Sequence, residues 1–341
     1  MSIEIKEFGK MPDGKEIHRI VMESGNGLSV EVLNLGGVLR SVVMPDRKGD
    51  LKDIVLGFDS LEEYLVNQPN FGAVIGRLAG PVPERRLEYA GKVVMLPPSN
   101  ALGRHVHGGR KGFARSVWDF TVCETKEGSQ ITLVYDSPDG DDGYPGNLRA
   151  TVVYTLTKSG CLKIRYAATA DEDTPFNPTN HTYFNLAGHE SGRVDNQVLW
   201  IRNEKAVVDG SPVLVKGTGL DFGRPRTIGE ILAGGGDWLA GGINHFHILE
   251  GSGLRKVMWM RDMDSGRVLE IDTDCPGAIV YDGGNLSDVH GKQGAVYGAR
   301  SGFAFEPFYV KDATSFNPSH ARLVGPNAPF SAVTVYRFSN E

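Results

Sequence analysis

Nine histidines are the residues best suited to chemistry near neutrality, because an imidazole of ordinary pKa gains and loses protons there. Two H-x-H pairs, His105/His107 and His245/His247, would place two imidazoles on one face of an extended strand, a common way for a sheet to present metal ligands. Such a site also wants a carboxylate a few residues later. His107 is followed by Gly108-Gly109-Arg110-Lys111-Gly112-Phe113, so no metal is expected. The run Asp139-Gly140-Asp141-Asp142 opens like a calcium loop, yet its twelfth position is Ala150, where a bidentate glutamate is needed. A rigid Gly/Pro turn is expected there instead. Asp53 and Asp59 read as solvated loop charges. Cys123, Cys161 and Cys275 lie far apart without a C-x-x-C, which fits inert, mostly buried, reduced thiols.

Two segments are more promising. Pro175-Phe176-Asn177-Pro178-Thr179-Asn180-His181-Thr182-Tyr183-Phe184-Asn185-Leu186 crowds hydrogen-bonding side chains between aromatics with little alternation, the character of a functional loop. Gly302-Phe303-Ala304-Phe305-Glu306-Pro307-Phe308 sets one carboxylate in an apolar stretch, where desolvation raises its pKa and suits it to be a general base. A strand-end charge pointing to solvent is the equally available alternative.

The elements that must hold these residues are strands. Leu148, Ala150, Val152, Tyr154 and Leu156 alternate with polar neighbours, and Leu162, Ile164 and Tyr166 repeat the pattern after the turn Lys158-Ser159-Gly160, which predicts a hairpin. Further strands are expected at 16–23, 28–34, 37–44, 86–95, 116–123, 130–136, 267–273, 278–281 and 331–338. Helical signals are brief: Ser60-Leu61-Glu62-Glu63 and Thr227-Ile228-Gly229-Glu230 are capping boxes opening a turn or two. With 44 glycines and 18 prolines among 341 residues and no linker-like tract, one all-β antiparallel sandwich over 1–341 with only short helices is expected. A formal charge of −6 argues against nucleic acid and anionic membranes as partners. Neither a secretory signal nor an 18-residue apolar run is present, so a cytoplasmic protein is expected.

Taken in order, these pieces resemble the aldose 1-epimerase (galactose mutarotase) family. The matching residues are Ile75-Gly76-Arg77, Val106-His107-Gly108-Gly109 with Gly112-Phe113 and Val117-Trp118, Asp139 to Asn147, Thr179 to Gly188, Gly242-Ile243-Asn244-His245, Gly302 to Asp312, and the final Thr334-Val335-Tyr336-Arg337-Phe338-Ser339. The resemblance implies a galactose mutarotase-like supersandwich with an open sugar cleft, interconverting the α and β anomers of a free aldose such as galactose or glucose. By it His181 is the general acid and Glu306 the general base, and Arg77, His107 and Asn244 bind the sugar. No cofactor is implied, and the protein would be a monomer or homodimer.

This chain departs from the family in the binding layer. Aspartate is usual where Asn244 stands, asparagine and arginine where Gly80 and Pro81 stand, and glutamine where Phe308 stands. Asparagine keeps an acceptor oxygen but loses charge assistance, and Pro307 and Phe308 would make the cleft more apolar beside Glu306. Two alternatives follow: an isomerase of the same fold working on another cyclic hemiacetal or a sugar phosphate, with Arg85-Arg86 or Arg224/Arg226 as candidate cations, and a carbohydrate-binding protein without turnover. A glycoside hydrolase fits poorly, since two carboxylates should flank its bond.

Overall fold

The computed structural model describes residues 2–309 and 321–341. The last residues of the Gly302–Asp312 match, 310–312, lie outside the described residues. The expected hairpin forms. Leu148–Thr157 and Cys161–Ala170 pair antiparallel with Tyr154 opposite Ile164 and Val152 opposite Tyr166, so their apolar sides share one face. Those residues are almost fully buried, and each such aliphatic side chain contributes about 1.5–3 kcal/mol.

This hairpin supplies the third and fourth strands of a nine-stranded sheet running from Asp119–Glu124 at one edge to Arg226–Thr227 at the other. A six-stranded sheet has the order Tyr183–Phe184, Phe303–Phe308, Gly277–Tyr281, Asn244–Leu249, Asn203–Val208, Ser211–Leu214. A five-stranded sheet takes the chain from Ser2–Lys10 to Leu51–Asp53. Neighbouring strands in the six-stranded sheet are all antiparallel. Ile20 and Val30 of the third sheet, Ile131 and Tyr336 of the first, and Val280 and Phe305 of the second belong to one hydrophobic cluster, so the sheets are layers of one sandwich.

Both capping boxes are present. Ser60 and Glu63 open the helix Leu61–Val66, and Thr227 and Glu230 open Ile228–Gly234. The segment 86–95 differs from expectation. It is a hairpin of Arg86–Tyr89 and Lys92–Met95, because Ala90 and Gly91 both take positive φ (48° and 76°) and reverse the chain. Asp53 is not solvated: its carboxylate accepts from buried Lys292 at 2.6 Å and from the N–H groups of Val42 and Val55. Cys275 is buried as expected, whereas Cys123 is exposed and Cys161 half-buried. Burial raises the Cys275 thiol to about 12, which keeps it protonated and inert. Among the described residues, no helix is long and apolar enough to cross a membrane.

Candidate active site

In Phe303–Phe308 the side chains alternate. Phe303 and Phe305 enter the main core, while Ala304, Glu306 and Phe308 take the opposite face. The buried phenyl groups therefore anchor the strand and leave Glu306 no direction but the cleft. That cleft, of about 1200 Å³, is lined by Glu306, His181, His107, Tyr281, Asn244 and Phe246, with Gly80 and Pro81 at its side.

His181 follows the short pairing of Thr179–Asn180 with Val74–Ile75. Its N–H donates to the Ala73 carbonyl (2.9 Å) and its carbonyl accepts from the Gly72 N–H (3.0 Å). The segment is also stitched to the Glu306 strand. The Thr179 hydroxyl donates to the Pro307 carbonyl (2.9 Å), and the Asn177 amide both donates to the Tyr309 carbonyl and accepts from its N–H (2.7 and 2.8 Å). Asn177 and Thr179 are thus positioning residues that motif reading did not single out; their signal was polar side chains in a segment with no solvent-facing period.

These ties bring His181 Nε2 to 3.4 Å from Glu306 Oε1. The His181 ring stacks on Tyr183 at 5.0 Å and meets His107 edge-on at 5.3 Å. Both groups are buried, and Nδ1 of His181 and Oε2 of Glu306 have no hydrogen-bond partner among the described residues. Two unsatisfied polar atoms at the floor of a cleft cost stability, and a polar ligand would satisfy them. Desolvation raises the Glu306 carboxyl to about 8. Desolvation first, and the neighbouring His107 second, lower His181 to about 3. Burial, with Arg115 adding to it, lowers His107 to about 4. All three are therefore held toward their neutral forms.

His107 Nδ1 accepts from the Gly80 N–H at 3.3 Å, which leaves its proton on Nε2. The turn carrying it presses so closely on Gly76–Arg77 that a Cβ on Gly108 would lie 1.7 Å from the Gly76 carbonyl oxygen; glycine is required there. The expected pairing of His105 with His107 on one strand face fails. His107 has a φ of 53° and leaves the strand, and His105 is held between the Pro97 carbonyl and the Tyr144 hydroxyl, both at 2.8 Å.

Arg77 is a correction. It is buried and does not line the cleft. Its five N–H groups meet Ser137 Oγ, Thr174 Oγ1 and the carbonyls of Ser137, Pro138, Pro145 and Gly146, at 2.7 to 3.2 Å, which leaves no donor for a sugar. Arg77 staples the acidic turn, and the turn in its place positions the His107 loop: the Asp142 carboxylate accepts from the N–H groups of Arg110 (2.8 Å) and Gly112 (2.7 Å). Phe308 is a second correction, because it does not face the cavity but backs Phe246, which does (ring centroids 5.0 Å). Asn244 is exposed and lines the cleft as expected. Arg85, Arg86, Arg224 and Arg226 do not line it; Arg104, unremarked in the sequence, does.

The chain is similar to known proteins in sequence and in fold. The family model for aldose 1-epimerase matches residues 18–337. The chain is 35% identical to galactose mutarotase of Mus musculus, covering 99% of both chains, and 30% identical to aldose 1-epimerase of Escherichia coli, covering 97% of both. A solved structure of galactose 1-epimerase from Lactobacillus acidophilus superimposes with a TM-score of 0.85 at 26% identity over 99% of both chains. Matched over nearly its whole length by sequence and by fold, the chain belongs to the aldose 1-epimerase family.

Proposed function

We propose that the protein is a cofactor-independent aldose 1-epimerase that interconverts the α and β anomers of a free aldose such as galactose or glucose, with His181 and Glu306 as the proton-transferring pair. The observation that carries this is the 3.4 Å approach of an imidazole and a carboxyl group in a buried cleft, each with one oxygen or nitrogen left unpartnered. Anomer exchange needs a base at the C1 hydroxyl and an acid at the ring oxygen. Glu306 takes the hydroxyl proton while His181 protonates the ring oxygen, the ring opens to the aldehyde, and C1 rotates about its bond to C2. Reclosure then runs with the roles exchanged. The pair holds one proton throughout: at rest it sits on Glu306, it passes to His181 across the 3.4 Å contact before opening, and ring opening returns it, through the sugar, from nitrogen to oxygen. Burial favours the same direction, because the final arrangement is uncharged.

His107 and Asn244 contact the sugar hydroxyls. Arg77 supports the site from behind the acidic turn. The chain acts as one unit over 1–341, supported by a core cluster that draws on residues from Ile20 to Tyr336. A cytoplasmic location fits its three free cysteines, and the reading includes a monomer or homodimer. Replacing Glu306 with Gln should slow anomer exchange of galactose and glucose at least about 100-fold. Unchanged polarimetric rates in that variant would remove Glu306 from the reaction.

A further inference from the structure

We propose that Asp282 is a positioning residue for sugar recognition: its buried carboxylate fixes the start of the strand Asn244–Leu249 and so places the Asn244 amide in the cleft. This rests on the aldose 1-epimerase reading above. Asn244 is the first residue of its strand and stands opposite Tyr281, the last residue of Gly277–Tyr281; both line the cleft. Asn244 is exposed, and its side chain makes no hydrogen bond among the described residues. Its place is therefore set by its backbone.

One step past that pair, Ile243 meets Asp282. In an antiparallel ladder, two residues that exchange hydrogen bonds do so through both N–H and both carbonyl groups. Here the Asp282 N–H donates to the Ile243 carbonyl (3.0 Å), but the Ile243 N–H donates to Asp282 Oδ2 (3.1 Å). The side chain thus takes the place of a backbone acceptor and closes the ladder at the residue before Asn244. Its other oxygen, Oδ1, accepts from the Gly284 N–H (2.9 Å), which fixes the orientation of the carboxylate. Gly242, with a φ of 85°, leaves room for it, since a Cβ there would lie 3.0 Å from Oδ2. Asp282 is buried, and desolvation first, with Asp195 adding to it, raises its carboxyl above the ordinary range. Replacing Asp282 with Asn leaves one acceptor oxygen for two N–H groups, so one of them loses its partner and the approach to Asn244 loosens.

The test measures KM and kcat for galactose anomer exchange by NMR, and Kd for galactose by calorimetry. The proteins are wild type, Asp282→Asn, Asp282→Ser, Asn244→Ala and the double variant Asp282→Asn/Asn244→Ala. Asp282→Asn should raise KM and Kd about tenfold with kcat nearly constant, and Asp282→Ser should do the same. Added to Asn244→Ala, Asp282→Asn should raise KM less than about twofold, because the group it places is already gone. Partial unfolding lowers kcat and leaves KM alone, which separates placement from stability. KM and Kd unmoved in both variants, or raised as much without Asn244 as with it, would overturn the positioning role alone, and so would two variants that do not fold. A wild type that binds galactose without exchanging its anomers would overturn the parent reading, and the Kd values would still decide the role of Asp282. A wild type that binds no galactose would overturn both.

Discussion

The two walls of the cleft are built by opposite rules. On one side His181 and Glu306 are buried, on segments stitched together by backbone ties, and both are pushed toward their uncharged forms. On the other side Asn244 and Arg104 are exposed. On the proposed function, the difference follows from what each wall must do. Proton transfer needs groups whose charge is costly in place, so that a small movement of a proton is strongly felt. Recognition of sugar hydroxyls needs groups that exchange water for ligand at little cost. All four family departures, Gly80, Pro81, Asn244 and Phe308, line or back the cleft outside the proton-transferring pair.

Several substitutions break or sharpen that contrast. The largest effect belongs to the proton-transferring wall: His181→Asn should lower kcat for anomer exchange about 100-fold or more with little change in KM, as should Glu306→Gln. Arg77→Leu comes next. It leaves a ring of buried carbonyls without donors, and should cost about 3 kcal/mol or more of unfolding free energy in urea. A loss below about 1 kcal/mol would show that the acidic turn holds itself.

Asn244→Asp tests the recognition wall. Restoring a charged acceptor should lower KM for galactose about two- to tenfold with kcat nearly constant, since charge-assisted hydrogen bonds are roughly twice as strong as neutral ones. A change in kcat instead would place Asn244 in the proton-transfer machinery.

The smallest effect is on stability. The Glu306 carboxyl is raised from its unfolded value of 4.5 to about 8. Its contribution is therefore full below pH 4.5 and is lost as pH rises toward 8. Glu306→Gln removes that loss and should raise Tm by about 2–4 °C at pH 8, with a smaller gain at pH 5. An equal shift at both pH values would mean that the carboxyl is not desolvated.

Period-2 patterning made the hairpin of Leu148–Thr157 and Cys161–Ala170 legible because one of its faces meets a core and the other does not. Phe303–Phe308 is buried on both faces and has no such period; its carboxylate among aromatics was the readable sign. Ser2–Lys10 went unread as a strand because no residue described within it is fully buried. The site followed the same division. His181, His107, Asn244 and Glu306 could be named from local sequence and resemblance, since each sits in a distinctive segment. The true partners of Arg77 lie 60 to 97 residues away, and Asp53 finds Lys292 across 239 residues. Pairings of that range are set by the folded layers, and no local pattern encodes them. Local sequence and resemblance therefore point Arg77 to a sugar and Asp53 to solvent, whereas the fold gives each a partner inside the protein.

The central claim is that a buried imidazole and carboxyl group hold one proton between them and pass it through the sugar. Its most direct test is the pH dependence of kcat/KM for anomer exchange, which reports the free enzyme. The working form carries one proton on the pair. Activity should therefore hold across a plateau, fall above about pH 8 as Glu306 loses that proton, and fall on the acid side only toward about pH 3, where His181 gains a second. A profile that rises with an ordinary carboxylate near 4.5 and falls with an ordinary imidazole near 6.5 would contradict the account, because those are the values of two solvated groups acting alone.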